Sequence, residues 1–412
     1  MPTPTDPQRA KPMLSVTEAR ARLLAAVEPL AGVEAVPLER ALGRVAATSL
    51  VAPRDVPLAD NSAMDGFALR LADLEAAGGT LPVAGRTAAG QRPQALAPGT
   101  AMRILTGAVV PEGADAVVPI EDVEVADGGA GAIRVTRMPV APGANIRRAG
   151  EDVARGTVVL PAGRRLRPQD LGVAASVGAT HLEVRRTLRV AVVVTGDELV
   201  EPGRELAPGQ LYDSNRPMLA AALVALGCDV TRVERVRDDL AATTDALRAA
   251  AADADLVVTS GGVSVGEEDH VKSAVRALGA IEVWKVAVQP GKPIGFGRIA
   301  GVPWLGLPGN PVSSLVTLLV FGVPLIRRQQ GREPAEPAAV PVPAGFARAT
   351  PNRREEYVRV ALQGGRVVPY HHQGSGVLQS TAWADGLARV PAGALVQEGE
   401  PLDYFAFAEL LG

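Results

Sequence analysis

Three acids follow apolar, β-branched runs: Glu198 in VAVVVTGDE, Asp238 in VERVRDD and Asp269 in VVTSGGVSVGEED. Glycines and small polar residues surround them. Gly261, Gly262 and Ser264 offer backbone N–H groups and a hydroxyl, which suits a phosphate or a planar heterocycle. Lys292, in QPGKP, adds a point charge. In GLPGNP, Asn310 with Pro311 behind it reads as a helix start, an anion site. Oxygen-only ligands beside such a site suit Mg²⁺, which keeps waters and needs one or two carboxylates. For each acid alone, helix capping competes with this reading, and for Asp238 and Asp239 the two stand about even. The chain has neither G-x-G-x-x-G after its first strand of this type nor G-x-x-x-x-G-K-[ST], so ordinary dinucleotide and P-loop chemistry are disfavoured.

The elements that must position these residues alternate between residues 187 and 330. LRVAVVVTG, DVTRVERV, DLVVTSGG, EVWKVAV and WLGLPG read as strands. NRPMLAAALVALG, with Asn215 as cap and Gly227 as stop, AATTDALRAAAADA and HVKSAVRALG read as helices. This pattern predicts a doubly wound parallel α/β sheet, whose ligands sit beyond the carboxyl ends of the strands. Five of its loops there, TGDE, RDD, TSGGVSVGEED, QPGKP and GLPGNP, are glycine-rich, acidic or both, more than tight turns require.

On either side the texture changes. Ser15-Val-Thr-Glu18 is a capping box before a helix, and Leu38–Ala47 is a second helical candidate. Residues 51–150 are rich in Pro, Gly and short β-branched runs, a compact β-rich block inserted between 13–50 and 151–186, which make an extended, segmented domain. A Pro-Ala linker then leads to a small all-β domain at 338–412.

Composition narrows the function. The 412 residues are 47% hydrophobic and 21% charged, with a formal net charge of −3. That predicts several packed cores and argues against nucleic acid or anionic membrane as the main partner. The single cysteine, Cys228, permits no intramolecular disulfide and fits a reducing cytoplasm. The polar N-terminus lacks a secretory pattern, and the apolar run Leu315 to Ile326 is too short to span a bilayer. His371-His372, with no third soft ligand nearby, reads as ordinary hydrogen-bonding histidines or a loop contact rather than a metal site. Arg147 and Arg148 could meet phosphate, although solvated arginines are the commoner case.

DNSAMDGFALR, RILTGAVVPEGADAVV, NIRRAGEDV, TGDEL, YDSNRPML, TSGGVSVGEEDH, QPGKPIGFG and GLPGNPVSS occur in this order. Together they closely resemble the molybdopterin molybdenumtransferases, the MoeA and gephyrin E-domain family, over nearly the whole chain. TSGGVSVG by itself also resembles the molybdopterin adenylyltransferases, which lack the long N-terminal half. The resemblance implies a segmented domain, an inserted β-rich domain, an α/β molybdopterin-binding domain and a C-terminal β-barrel, assembled as a homodimer. It implies insertion of molybdate into adenylylated molybdopterin, with Mg²⁺-dependent release of AMP. The bare loop, with Thr195, Gly261, Gly262, Ser264, Pro308, Gly309, Asn310 and Pro311, then receives the pterin-AMP.

By the same resemblance Asp65, Thr106, Asp152, Glu198, Asp238 and Asp269 are catalytic, with Glu198 and Asp269 toward the metal. Gln289, Lys292, Pro293, Ser313, Arg354 and Ser375 fall where the family holds molybdate. Many relatives carry lysine at the Gln289 position. An amide can donate to an oxyanion without adding charge, which shifts the burden to Lys292 and Arg354. Molybdopterin adenylyltransferase and maturation proteins of molybdenum enzymes are the partners this implies. An interaction scaffold is the rival function, since gephyrin's E domain also binds receptor segments.

Overall fold

A computed structural model describes residues 13–125, 131–262, 270–291 and 293–412. The helix Val16–Ala25 begins as expected: Ser15 Oγ accepts the Glu18 N–H at 3.2 Å, and Glu18 accepts the Ser15 N–H at 2.8 Å. The second expected helix does not form. Only a 3-10 turn, Leu38–Arg40, precedes Gly43 at φ 75°, and Val45 and Ala46 then bridge to Arg165 and Val184. Backbone groups that a helix would have used are taken by strands arriving from later in the chain.

Those strands bracket the β-rich block. Val33–Pro37 pairs antiparallel with His181–Arg185, and Leu50–Val51 with Val158–Leu160. Between them a separate six-stranded sheet forms over its own core, which includes Phe67, Leu69, Leu74, Leu81, Val118 and Ile133.

The central sheet consists of β1 (Arg189–Thr195), β2 (Asp229–Val236), β3 (Leu256–Ser260), β4 (Gly279–Lys285), β5 (Pro293–Ile299) and β6 (Val302–Leu307). Their order is β2-β1-β3-β6-β5-β4. The four strands β2, β1, β3 and β6 are parallel, as the alternation predicts. β5 corrects that expectation: it runs antiparallel to both β6 and β4. Ala300 at φ 48° and Gly301 at φ 86° join β5 to β6, and a two-residue connection with both φ values positive is a hairpin turn. A parallel crossover would need a dozen residues or more. β5 is hard to see in the sequence because PIGFG carries two glycines. Gly295 is one of them, and a Cβ there would lie 2.4 Å from the Trp304 ring. Trp304 is fully buried and donates its indole N–H to Thr259 Oγ1 at 3.1 Å.

Asp255 latches the segmented domain to the foot of this sheet. Its carboxylate accepts from the Arg186 guanidinium at 2.7 and 2.9 Å, and from Arg189 at 3.1 Å. Burial alone would raise its pKa, but the bonds from Arg186 and Arg189 prevail and hold it well below the usual carboxylate range. A carboxyl depressed in the folded state stabilises above its unfolded pKa of ~3.9, and that contribution is lost as pH falls. Urea midpoints at pH 7 and pH 3 should therefore differ less in Asp255→Asn than in the parent; an unchanged difference would exclude Asp255 from the acid response.

The C-terminal strands Val340–Pro343, Glu355–Gln363, Arg366–Pro369, Gly386–Val390 and Pro401–Ala406 form a ring that an Ala344–Val367 bridge closes into a small barrel. Val288–Gln289 pairs with Glu355–Glu356 of this barrel, so the loop after β4 belongs to both domains. Pro311–Gln329 is a 19-residue helical run, apolar enough to cross a membrane, but 83% of its apolar stretch is buried within the fold. It is a core helix.

Candidate active site at the carboxyl ends of the parallel strands

Strand register brings three loops together. Val194 pairs with Ser260, and Ser260 with Leu307, so the chain leaves β1, β3 and β6 side by side. Gly261 sits at φ 94°, and a Cβ there would come within 2.8 Å of the Thr195 carbonyl and 2.9 Å of its hydroxyl. Only glycine fits. The Gly261 N–H donates to the Leu307 carbonyl at 3.1 Å. Ser260 Oγ lies 3.1 Å from the Pro308 carbonyl and 3.2 Å from Ser314 Oγ. Thr195, Gly261, Gly262, Pro308 and Gly309 are thus gathered as expected.

Asn215 is a correction. Ser214 holds the N-cap position of the helix Asn215–Ala225 without a side-chain cap bond, and the fully buried Asp213 before it accepts the first-turn Arg216 N–H at 3.1 Å. Asn215 instead donates its amide to Ser260 Oγ at 2.9 Å and to the Gly309 carbonyl at 2.7 Å, locking the loops to one another. The Gly309 carbonyl fixes which end of the amide is nitrogen, and Asn215 Oδ1 is left buried without a partner. A ligand N–H in this crevice would satisfy it.

The acids divide by role. Asp239 is the helix cap, accepting the Ala242 N–H at 2.8 Å. Asp238 is not: its backbone N–H donates to Asp197 at 3.1 Å, tying RDD to TGDE. Glu198 is exposed and folds back over Gly196, where a Cβ would lie 2.8 Å from Glu198 Oε2. Among the described residues, neither Glu198 nor Asp238 enters an ion pair, and no three His, Cys, Asp or Glu side chains form a metal cage. Ser264, Asp269 and Lys292 lie outside the described residues. A few unpaired carboxylates beside a phosphate-suited loop fit Mg²⁺, which takes its remaining ligands from water and phosphate.

Of the residues expected to hold molybdate, the described Gln289, Pro293, Ser313, Arg354 and Ser375 lie where the barrel abuts the sheet. Asn310 occupies the N-cap position of the helix Pro311–Thr317, with Pro311 in its first turn. Its amide, however, turns to Ser375 Oγ at 3.2 Å, and Val312 donates its N–H to the Ser375 carbonyl at 3.1 Å. Gly291, at φ 105°, presses on the same helix: its Cβ would lie 2.4 Å from Thr317 Oγ1 and 3.5 Å from the Ser313 carbonyl. Pro293 opens β5 opposite Lys285. Gln289 Oε1 accepts from Arg354 at 2.7 Å and from Asn352 at 3.0 Å. Beside them opens a cavity of 570 Å³ lined by Arg348, Asn352, Arg353, Arg354 and Glu356. A second cavity, 460 Å³, lies near Asp255 and Arg298 at the amino ends of the strands, where open α/β sheets do not place ligands.

Asp65, Thr106 and Asp152 stand apart. Asp65 Oδ1 accepts the Thr106 N–H at 2.7 Å and its hydroxyl at 2.8 Å. These bonds, with Arg103 nearby, hold the exposed Asp65 carboxyl below its ordinary pKa. Asp152 is exposed. Arg148 pairs with Asp60 at 2.6 Å, which accounts for one of the two doubtful arginines. Among the described residues no hydrogen bond or ion pair joins residues 57–153 to residues 187–412.

Other candidates resolve simply. Burial pushes the Cys228 thiol up to about 12, which removes it as a nucleophile. The His371 ring lies 4.2 Å from that of Tyr370, a loop contact as expected. Asn352, Ser260 and the buried Arg359 escaped the sequence reading. Arg359 donates to Ser380 Oγ and to the Gly374 carbonyl, both at 3.1 Å, and so holds the Ser375 loop. Its position in YVRVAL, on an alternating strand, only marked it as a strand residue.

Comparison with known proteins gives the same picture along the whole length. Residues 14–178 match the MoeA N-terminal region (domain I and II), 191–328 a probable molybdopterin binding domain, and 341–407 the MoeA C-terminal region (domain IV). A molybdopterin molybdenumtransferase from Haemophilus influenzae is 44% identical over 322 residues, covering 78% of this chain and 79% of that protein. Molybdopterin molybdenumtransferase 2 of Mycobacterium tuberculosis is 43% identical over 370 residues, covering 86% and 90%. The crystal structure of a molybdopterin biosynthesis MoeA protein from Pyrococcus horikoshii superposes with a TM-score of 0.84 at 27% identity, covering 96% of this chain and 100% of that one.

Proposed function

Because the chain belongs to the MoeA family, as a molybdopterin molybdenumtransferase of molybdenum cofactor biosynthesis, we propose that it inserts molybdate into adenylylated molybdopterin with Mg²⁺-dependent release of AMP. One observation carries the proposal. The helix Pro311–Thr317 joins the two half-sites, with Ser314 Oγ 3.2 Å from Ser260 at the glycine loop and Ser313 beside Gly291 in the Gln289–Pro293 loop. An oxyanion and a phosphate-bearing substrate held at successive residues of one helix start are neighbours.

In this scheme the Gly261–Ser264 loop and the Pro308–Pro311 turn bind the pterin-AMP through backbone N–H groups. Gln289, Lys292, Pro293, Ser313, Arg354 and Ser375 surround molybdate. Glu198 and Asp269 hold Mg²⁺, and Asp238 serves the same chemistry. The ion, when bound, would neutralise charge growing on the phosphoanhydride oxygens. Asp65, Thr106 and Asp152 reach this site from the other subunit of a homodimer, and the exposed Leu42, Val158 and Val173 on the segmented module, with Val51 and Leu58 at the start of the β-rich block, support such an interface. We place the enzyme in the cytoplasm, fed by a molybdopterin adenylyltransferase and serving maturation proteins of molybdenum enzymes. A scaffold alone would have no use for unpaired Glu198 and Asp238 beside a glycine loop.

Glu198→Gln should lower AMP release about a hundredfold, or ~3 kcal/mol of barrier, with the fold intact. Single-turnover assays with adenylylated molybdopterin, molybdate and varied Mg²⁺ decide it. Parental rate and Mg²⁺ dependence in the variant would remove Glu198 from the chemistry.

A further inference from the structure

Gln289 meets its neighbours through its amide oxygen. Its Oε1 accepts two N–H groups, Arg354 Nη2 at 2.7 Å and Asn352 Nδ2 at 3.0 Å, so both lone pairs of the amide oxygen are used. Asn352 is the hub. Its Oδ1 accepts the Arg354 backbone N–H at 3.1 Å, and its amide also donates to the Glu356 carboxylate. Glu356, buried to 7% exposure, is paired in turn with Arg348. A polar chain therefore runs Arg348, Glu356, Asn352, Gln289, Arg354. The one carboxylate in it is matched by Arg348, and the link that reaches Arg354 is made of amides.

Resting on the molybdate reading of this seam, we propose that Gln289 and Asn352 are positioning residues: they orient the Arg354 guanidinium through neutral hydrogen bonds, leaving its charge for the incoming oxyanion. A carboxylate at the Gln289 position would orient Arg354 equally well but cancel that charge. An apolar residue of the same length would leave the charge and lose the orientation. Shape, orientation and charge can thus be separated by substitution.

The test is molybdate binding by calorimetry to the full-length protein at two ionic strengths, with adenylylated molybdopterin binding and thermal midpoint measured alongside. Gln289→Met should weaken molybdate about tenfold, the low end for the loss of one hydrogen bond to a charged group. Gln289→Glu should weaken it further, by at least about thirtyfold, and flatten its salt dependence. Asn352→Ala should resemble Gln289→Met. Pterin-AMP affinity should stay within about twofold in Gln289→Met, since a hydrogen bond lost at the seam leaves the glycine-loop contacts in place. Arg354→Met is the control on the site. If it binds molybdate like the parent, the oxyanion is held elsewhere and the reading of the seam fails. If Arg354→Met loses binding while Gln289→Met keeps parental affinity, positioning is overturned and the site stands. Equal losses in Gln289→Met and Gln289→Glu would overturn the claim that neutrality of the link matters. Because Gln289 sits at a half-buried edge, its variants report even if Asn352→Ala fails to fold.

Discussion

Mixing Asp65→Ala and Glu198→Ala chains, each inactive alone, is expected to restore activity to about a quarter of parent per site. The expectation starts from a separation. Asp65, locked to Thr106 by two hydrogen bonds, sits on the β-rich sheet, while Glu198 lies beside the glycine loops of the central sheet. In a dimer whose sites combine one β-rich unit with the other subunit's central sheet, a heterodimer holds one intact site and one doubly damaged site. Random exchange at equal amounts makes about half the dimers heterodimers, which leaves about a quarter of all sites whole. If each site lay within one chain, every site in the mixture would carry a lesion. Subunit exchange shown by differently tagged chains, with no return of AMP release, would sink the shared site.

Trp304→Ala should cost about 4 kcal/mol of stability, near the upper part of the range for deleting a buried aromatic side chain. The indole is fully buried in the sheet core and is faced by Gly295, which has no side chain to move into the gap. Its loss also strips Thr259 Oγ1 of the 3.1 Å bond from the ring N–H. Trp304→Phe, which keeps a six-membered ring but loses the donor and part of the indole's volume, should cost less, ~2 kcal/mol. Urea unfolding followed by circular dichroism compares the two. Equal midpoints would mean that the hydrogen bond matters and the packing does not. Since Thr259 precedes Ser260 in β3, the alanine variant should also loosen the glycine loop and weaken pterin-AMP binding.

Much of this site could be read directly. Glycines at Gly261 and Gly262, acids at Glu198 and Asp238, and the Asn310-Pro311 helix start announce what they are able to do through residue type, because backbone bareness, charge and a missing N–H are local properties. Alternating strands and helices likewise determined that four parallel strands would bring those loops to one end. β5 stayed hidden because its glycines weaken the strand signal, and their purpose, room for Trp304, lies in a neighbouring strand. The Leu38–Ala47 pattern looked helical because its propensities are helical, but pairing with residues 165 and 184 competes for the same backbone groups and prevails.

Hydrogen-bond partners were the part only the tertiary structure decided. Asn215 and Asp213 are two residues apart, and both are good caps by type. Which one accepts a first-turn N–H and which ties Ser260 to Gly309 depends on where β3 and β6 end in space. Gln289 could donate or accept with equal ease. The arrival of Asn352 and Arg354 from 63 and 65 residues away engages its oxygen as an acceptor. Local chemistry thus determined what each residue can do. Contacts between distant segments decided which of those options is used, because an amide or carboxylate takes its role from the partner that reaches it.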